Sequence, residues 1–259
     1  MPLFDIQLVH KYQFNQDIVI LYYTCSSELK YTAGQYISLE VLPKTFRSYS
    51  IFELGTIIND PFELDLNKNK KPTDYIIGLM INTRPGGIGS QYAQNCKVGD
   101  TVKALGPSGK FNLVKSQNSR VFVATSTGLA PFIPMINNIR KDSNEKIFVY
   151  FGVKSIEDNF AYSLLNSIPN LELNVCVELD PTTKDSKDNS KLDCNLNNNF
   201  KQKVQQGFVT GYLDSKLKTH EFEPNLTDFY LCGNPMMIEA VKEILTKQGA
   251  NNIYEEKYS

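Results

Sequence analysis

Over the first 113 residues, short apolar runs alternate with turn residues: 4–9, 18–24, 35–41, 47–52, 75–81 and 101–105, all rich in Tyr, Ile, Val and Leu. Such runs, evenly spaced and almost free of helical periodicity, predict an antiparallel sheet closed on itself as a barrel or sandwich. After Gly106-Pro107-Ser108-Gly109 the pattern changes. A buried strand at 121–124 is followed by the stripe Phe132, Met135, Ile136 and Ile139, the spacing of one helix face. Strands at 147–151 and 171–179 flank a helix bearing Ala161, Leu164, Leu165 and Ile168, opened by a capping box from Ser155 to Asp158. A last strand at 228–232 leads to Asn234 as N-cap, Pro235 at the first helical position, the face Met237, Val241, Ile244 and Leu245, and Gly249 as the stop.

The fold class is therefore a two-domain β-barrel plus α/β, with a barrel over 1–114 and a parallel, doubly wound domain over 115–259. Residues 181–206 hold five Asn, five Lys and three Asp without periodicity, which predicts a flexible surface insertion. Where a barrel precedes an α/β domain, the site is expected in the cleft between them and at the carboxyl ends of the parallel strands.

Composition removes several functions. Twenty-seven Lys and Arg against 28 Asp and Glu leave a net charge of −1, so no global field favours nucleic acid. The longest uncharged stretch, 121–139, contains Pro131 and Pro134 and is a poor membrane span. The first ten residues lack the basic start and apolar core of a signal peptide, so a cytoplasmic setting is expected; a monomer is expected as well. Five cysteines without a C-x-x-C pair, and only two histidines, argue against disulfides, a metal site or a plant-type iron-sulfur cluster.

Four segments carry candidate chemistry. Phe46-Arg47-Ser48-Tyr49-Ser50-Ile51 places a guanidinium, a phenol ring and a hydroxyl on one strand, with Arg47 and Tyr49 on one face by period two. That set suits a flavin dinucleotide: Arg47 for the pyrophosphate, an aromatic against the ring, a hydroxyl near its hydride-accepting nitrogen. The alternative is a strand edge with a solvated arginine. Gly86-Gly87-Ile88-Gly89-Ser90, before a short helix over 91–95, offers backbone amides to a phosphate or is a plain tight turn. Thr125-Ser126-Thr127-Gly128 follows a buried strand and opens a helix, where a dinucleotide's phosphates would meet free amides, although Thr125 and Ser126 replace the usual glycines. Cys232, at a strand end before Gly233-Asn234-Pro235, reads as a buried structural thiol or as part of a site.

Taken in order, Gly34-Gln35-Tyr36, Arg47-x-Tyr49-Ser50, Gly86-Gly87-x-x-Ser90, Gly106-Pro107-Ser108-Gly109, Thr127-Gly128-Leu129-Ala130-Pro131-Phe132 and Cys232-Gly233-x-Pro235-x-Met237 resemble the ferredoxin-NADP reductase superfamily across essentially the whole chain. The resemblance implies a six-stranded barrel holding FAD and a five-stranded parallel sheet holding a nicotinamide nucleotide. It implies Arg47, Gly87, Gly89 and Ser90 on the FAD pyrophosphate, Tyr49 stacked on the flavin and Ser50 beside its reactive nitrogen. Thr127 and Gly128 would receive the nicotinamide dinucleotide's pyrophosphate, with Cys232, Gly233 and Pro235 around the nicotinamide.

The ending Glu256-Lys257-Tyr258 resembles the E-x-Y of plant-type and some bacterial reductases, making Tyr258 a flavin lid and Glu256 a group for proton or electron exchange; a disordered polar tail is the alternative. Asp180 stands where NADPH-specific members carry a 2′-phosphate grip; a carboxylate there favours NADH, as does a resemblance of Ser90-Gln91-Tyr92 to cytochrome-b-type NADH reductases, while Lys184, Lys187 and Lys191 remain available to a 2′-phosphate. The implied activity is hydride transfer from NAD(P)H to FAD and single-electron transfer to a ferredoxin- or flavodoxin-type carrier. The alternatives are a flavin or quinone reductase, the reductase component of an oxygenase, and a regulatory flavoprotein subunit.

Overall fold

The computed structural model describes residues 3–26, 28–55, 75–142, 146–178, 194–195 and 200–258. The chain divides into two compact units, Met1–Leu113 with Ala130–Met135, and Val114–Leu129 with Ile136–Ser259.

In the first unit, β1 (Leu3–Gln13), β2 (Ile18–Cys25), β3 (Tyr36–Leu42), β4 (Thr45–Gly55), β5 (Tyr75–Asn82) and β6 (Thr101–Ser108) form a closed antiparallel barrel in the order β1-β2-β5-β4-β3-β6. The ring closes where β6 pairs with β1, Leu3 opposite Leu105 and Gln7 opposite Thr101. Alternate residues fill the interior: Val19, Leu21 and Tyr23 from β2, Ile37 and Leu39 from β3, Ile77 and Leu79 from β5. Each such aliphatic side chain contributes roughly 1.5–3 kcal/mol by leaving water. Strand β2 is buried on both faces, its outer Tyr22 meeting Phe52 edge-on at 5.7 Å. Between β5 and β6 lies the helix α1 (Ile88–Asn95), whose final carbonyls accept from Lys11 Nζ: Gln94 O at 2.7 Å, with Cys96 O just beyond at 3.0 Å.

The second unit is a sheet of β7 (Ser119–Thr125), β8 (Ile147–Val153), β9 (Leu171–Val177), β10 (Cys194–Asn195), β11 (Lys201–Gln206), β12 (Thr227–Gly233) and β13 (Asn252–Lys257), in the order β10-β11-β9-β8-β7-β12-β13. Its helices are α2 (Phe132–Asp142) from Ile136 onward, α3 (Ala161–Leu165), α4 (Val209–Lys218) and α5 (Pro235–Lys247). Six strands run parallel and the two-residue β10 is antiparallel, so the expected count of five is corrected. Strand β11 falls at the end of the stretch assigned to a loop: its sequence, Lys-Gln-Lys-Val-Gln-Gln, is too polar to show as a strand, yet Gln202 and Val204 are buried in alternation. Strand β13 replaces the disordered tail. Most of the expected insertion, 181–193 and 196–199, lies outside the described residues.

From β7 the chain proceeds outward through β8, β9 and β11, then returns to β12 and β13 on the other side, so the strand order reverses between β7 and β12. One sheet face carries Val121, Val123, Phe229 and Leu231 in a core with Val209, Leu213, Val241 and Leu245. On the opposite face Phe122, Tyr230 and Tyr254 stack across three strands at centroid distances of 5.2 and 5.0 Å. Helix α5 begins as predicted, the Asn234 side chain accepting from Met236 N at 2.8 Å, and Gly249 follows it at φ +83°.

Candidate functional site

The first cluster is built on β4 and α1. A Cβ on Gly89 would lie 2.5 Å from Tyr49 Oη and 3.4 Å from Arg47 Cγ, so the first turn of α1 rests directly on these two side chains. Helix α1 starts three residues earlier than expected, at Ile88, and Gln91 N bonds Gly87 O at 2.9 Å. The amides of Ile88, Gly89 and Ser90 therefore have no acceptor within the helix and carry its positive end. Arg47 is exposed beside them, with Nη1 donating to Phe46 O at 2.8 Å. The Tyr49 hydroxyl is buried without a hydrogen-bond partner among the described residues, and burial, with Tyr92 next, pushes its pKa up to about 12 against the pull of Arg47. Ser50 is buried, and period two places it on the face of β4 opposite to Arg47 and Tyr49.

An unpaired donor, a glycine cradle, free amides and an exposed guanidinium fit an anionic, aromatic-linked group such as the FAD diphosphate.

The second cluster lies at the carboxyl ends of β7 and β12. A Cβ on Gly128 would stand 2.4 Å from Cys232 O, and one on Gly233 (φ +129°) 2.4 Å from Thr125 Oγ1, so the two turns interlock backbone to backbone. Thr125 Oγ1 also accepts from Asn234 N at 3.0 Å. Ser126 takes φ +50°, a conformation rare outside glycine and asparagine. Helix α2 does not follow directly from Thr127, as expected; a single 3₁₀ turn, Ser126–Leu129, intervenes and buries Thr127 and Gly128.

Pairing of β12 with β13 sets Cys232 opposite Glu256. Tyr258 closes the group, its N donating to Gly233 O and its hydroxyl to Thr127 O, both at 3.2 Å. The Cys232 thiol is fully buried; burial first and the Glu256 carboxylate second drive its pKa well up, eased by the Tyr258 hydroxyl.

The predicted residues thus gather into two groups, Arg47, Tyr49, Gly87, Gly89 and Ser90, and Thr127, Gly128, Cys232, Gly233, Pro235, Glu256 and Tyr258. Asp180 lies outside the described residues, as do Lys184, Lys187 and Lys191. Sequence reasoning missed two features. Phe208, 64% exposed at the N-cap of α4 beyond β11, is an aromatic plate at the carboxyl edge of the sheet. Tyr92, whose hydroxyl meets Tyr23 Oη at 3.1 Å, backs the Tyr49 phenol. Gly207-Phe208 after a polar strand was the signal for the first.

Two family models match the chain. An oxidoreductase FAD-binding domain matches residues 5–113 and an oxidoreductase NAD-binding domain matches residues 122–243. The chain belongs to the ferredoxin-NADP reductase superfamily. Among curated relatives, the toluate 1,2-dioxygenase electron transfer component of Pseudomonas putida is 28% identical over 90% of the chain and 60% of its own length. The anthranilate 1,2-dioxygenase electron transfer component of Acinetobacter baylyi is 29% identical, over 89% of the chain and 59% of its own length. The chain thus spans about 60% of the curated relatives it matches.

Solved structures share the superfamily fold: the ferredoxin reductase in carbazole 1,9a-dioxygenase at TM-score 0.75 and 17% identity, over all of the chain and 70% of that one. A Neisseria gonorrhoeae ferredoxin NADP+ reductase with bound FAD and NADP aligns at TM-score 0.72 and 14% identity, covering 98% of both chains. The chain thus joins an oxidoreductase FAD-binding domain to an oxidoreductase NAD-binding domain.

Proposed function

We propose that this chain takes hydride from NAD(P)H and passes electrons singly to a protein carrier of the ferredoxin or flavodoxin type. Bound FAD supplies the conversion, accepting two electrons together and releasing them one at a time. The observation that carries the reading is the grouping of a buried thiol, a carboxylate and a terminal aromatic at the switch point of a nucleotide-binding sheet.

In this reading Arg47 and the α1 amides at Gly87, Gly89 and Ser90 neutralise the FAD diphosphate, and Tyr49 fixes the cofactor through the hydroxyl that otherwise lacks a partner. Ser50 supplies a hydroxyl to the flavin. Thr127 and Gly128 receive the nicotinamide dinucleotide's diphosphate, and Gly233 with Pro235 shapes the turn beside the nicotinamide. Cys232 excludes water there and stays protonated, while the Glu256 carboxylate opposite it is the group that exchanges a proton. Phe208 offers its exposed ring to the adenine end.

A second reading, the reductase component of an oxygenase, is favoured by the relatives that carry electrons in toluate and anthranilate 1,2-dioxygenase systems. Anaerobic titration of the yellow protein with NADH and then NADPH, followed by ferredoxin, flavodoxin or an oxygenase component as acceptor, separates the two. Bleaching by a nicotinamide with recovery on adding a carrier is expected. A colourless preparation that cannot be reconstituted with FAD sinks both. In stopped flow, Ser50→Ala and Cys232→Ala should slow bleaching with FAD retained; unchanged rates remove them from the mechanism.

A further inference from the structure

The loop that aims the α1 amides, Thr83 to Gly87, has little packing of its own. Arg84, Pro85, Gly86 and Gly87 are exposed, and a Cβ on Gly86 or Gly87 would meet nothing within 4 Å. Gly86, at φ +68°, is also the most permissive point of the backbone there. A loop of this composition samples many conformations unless hydrogen bonds hold it, and an anion site made of amides works only if they point one way.

The bonds that hold it converge on one residue 66 positions away. Thr83 donates to Asp17 O twice, from N at 2.7 Å and from Oγ1 at 3.1 Å. Arg84 sends Nε to Asp17 Oδ2 at 2.7 Å, and Nη2 to the same oxygen. Asp17 is itself fixed in the β1–β2 turn, where Asn15 Oδ1 accepts from Asp17 N and Ile18 N, each at 2.9 Å. From this anchor the loop is built onward: Arg84 N to Asn82 Oδ1 at 2.9 Å, Gly86 N to Thr83 O at 3.1 Å, and Gln91 Nε2 back to Gly86 O at 3.2 Å. The Asp17 side chain is 17% exposed, which strengthens its pairing relative to a fully solvated one.

We propose that Asp17 is a positioning residue for the dinucleotide part of the flavin: it fixes the glycine loop in the geometry that presents the α1 amides, and it holds the Arg84 guanidinium away from that anion. The inference rests on the assignment of FAD to this barrel. A wild-type protein that binds no FAD removes that assignment, whereas the outcomes below bear on Asp17 alone.

The test measures dissociation constants of FAD and riboflavin for wild type, Asp17→Ala, Asp17→Glu, Arg84→Ala and the double variant Asp17→Ala/Arg84→Ala, by flavin fluorescence after deflavination. Asp17→Ala should weaken FAD about tenfold, the size expected for loss of a charge-assisted hydrogen-bonded pair. Riboflavin, which has no phosphate, should bind unchanged, an asymmetry that general loosening of the barrel would not give. Asp17→Glu should recover part of the loss, and the double variant should be no worse than Asp17→Ala. Tighter FAD binding in Asp17→Ala would show Arg84 to be a phosphate ligand restrained by Asp17, and equal losses for FAD and riboflavin would show only a structural role; either overturns the proposal. If Asp17→Ala fails to fold, Asp17→Asn, which keeps the shape and removes the charge, takes its place in the same comparison of FAD with riboflavin.

Discussion

At Cys232 two influences act in the same direction, since a sulfur removed from water and placed opposite the Glu256 carboxylate is disfavoured as an anion twice over. The thiolate is the reactive form, so native protein should resist iodoacetamide at Cys232 at pH 8 and be alkylated there only after unfolding, as peptide mass spectrometry would read. Rapid native labelling would contradict the geometry. Gly128 makes a sharper demand, because the atoms in the way of a side chain are the backbone of Cys232 and Gly233 rather than a flexible tip. Gly128→Ala should cost roughly 1–3 kcal/mol in urea unfolding by overpacking. It should also weaken NAD(P)H binding, through the displaced turn, more than FAD binding.

Strand β13 shows how an element can be held by one face and used by the other. Glu255 and Lys257 point to α5, where Lys257 pairs with Glu239 at 2.5 Å and Lys242 with Glu255 at 2.7 Å, while Glu256 and Tyr258 alternate to the opposite side. Lys257→Glu should speed amide hydrogen exchange over 253–257, and adding Glu239→Lys should restore protection; no change in exchange would mean that backbone pairing alone holds the strand. The caps of α5 were legible because Asn234, Pro235 and Gly249 act locally. The barrel strands were legible because their apolar runs are short and sharply bounded. Strand β11 was not, since the sheet edge tolerates Lys and Gln where the interior would not. The site divided the same way: its glycine turns and Arg47 announce themselves, whereas the tie from Asp17 to Arg84 joins distant turns and leaves no local trace.

Across the whole molecule, burial has raised several acids together: Tyr49, Tyr92 and Cys176 each titrate near 12, and Tyr23, Tyr150 and Cys232 are raised as well. The unfolded chain releases these protons from about pH 9 to 10, ahead of the folded one. The folded form therefore binds more protons in that range, and its advantage, complete below pH 9, is lost as pH rises toward 12. Urea midpoints should fall steadily between pH 8.5 and about 11, and a flat profile would mean that the buried hydroxyls and thiols do not resist ionisation.

The chain has fourteen tyrosines and no tryptophan, so its near-ultraviolet spectrum is unobscured by indole. Tyr230 and Tyr254, nearly parallel at 23°, are two phenol chromophores in close register, one on β12 and the other on β13. Their coupled circular dichroism band should vanish in Tyr254→Leu and fade whenever the terminal strand lifts, giving an optical gauge of its docking that needs neither label nor cofactor.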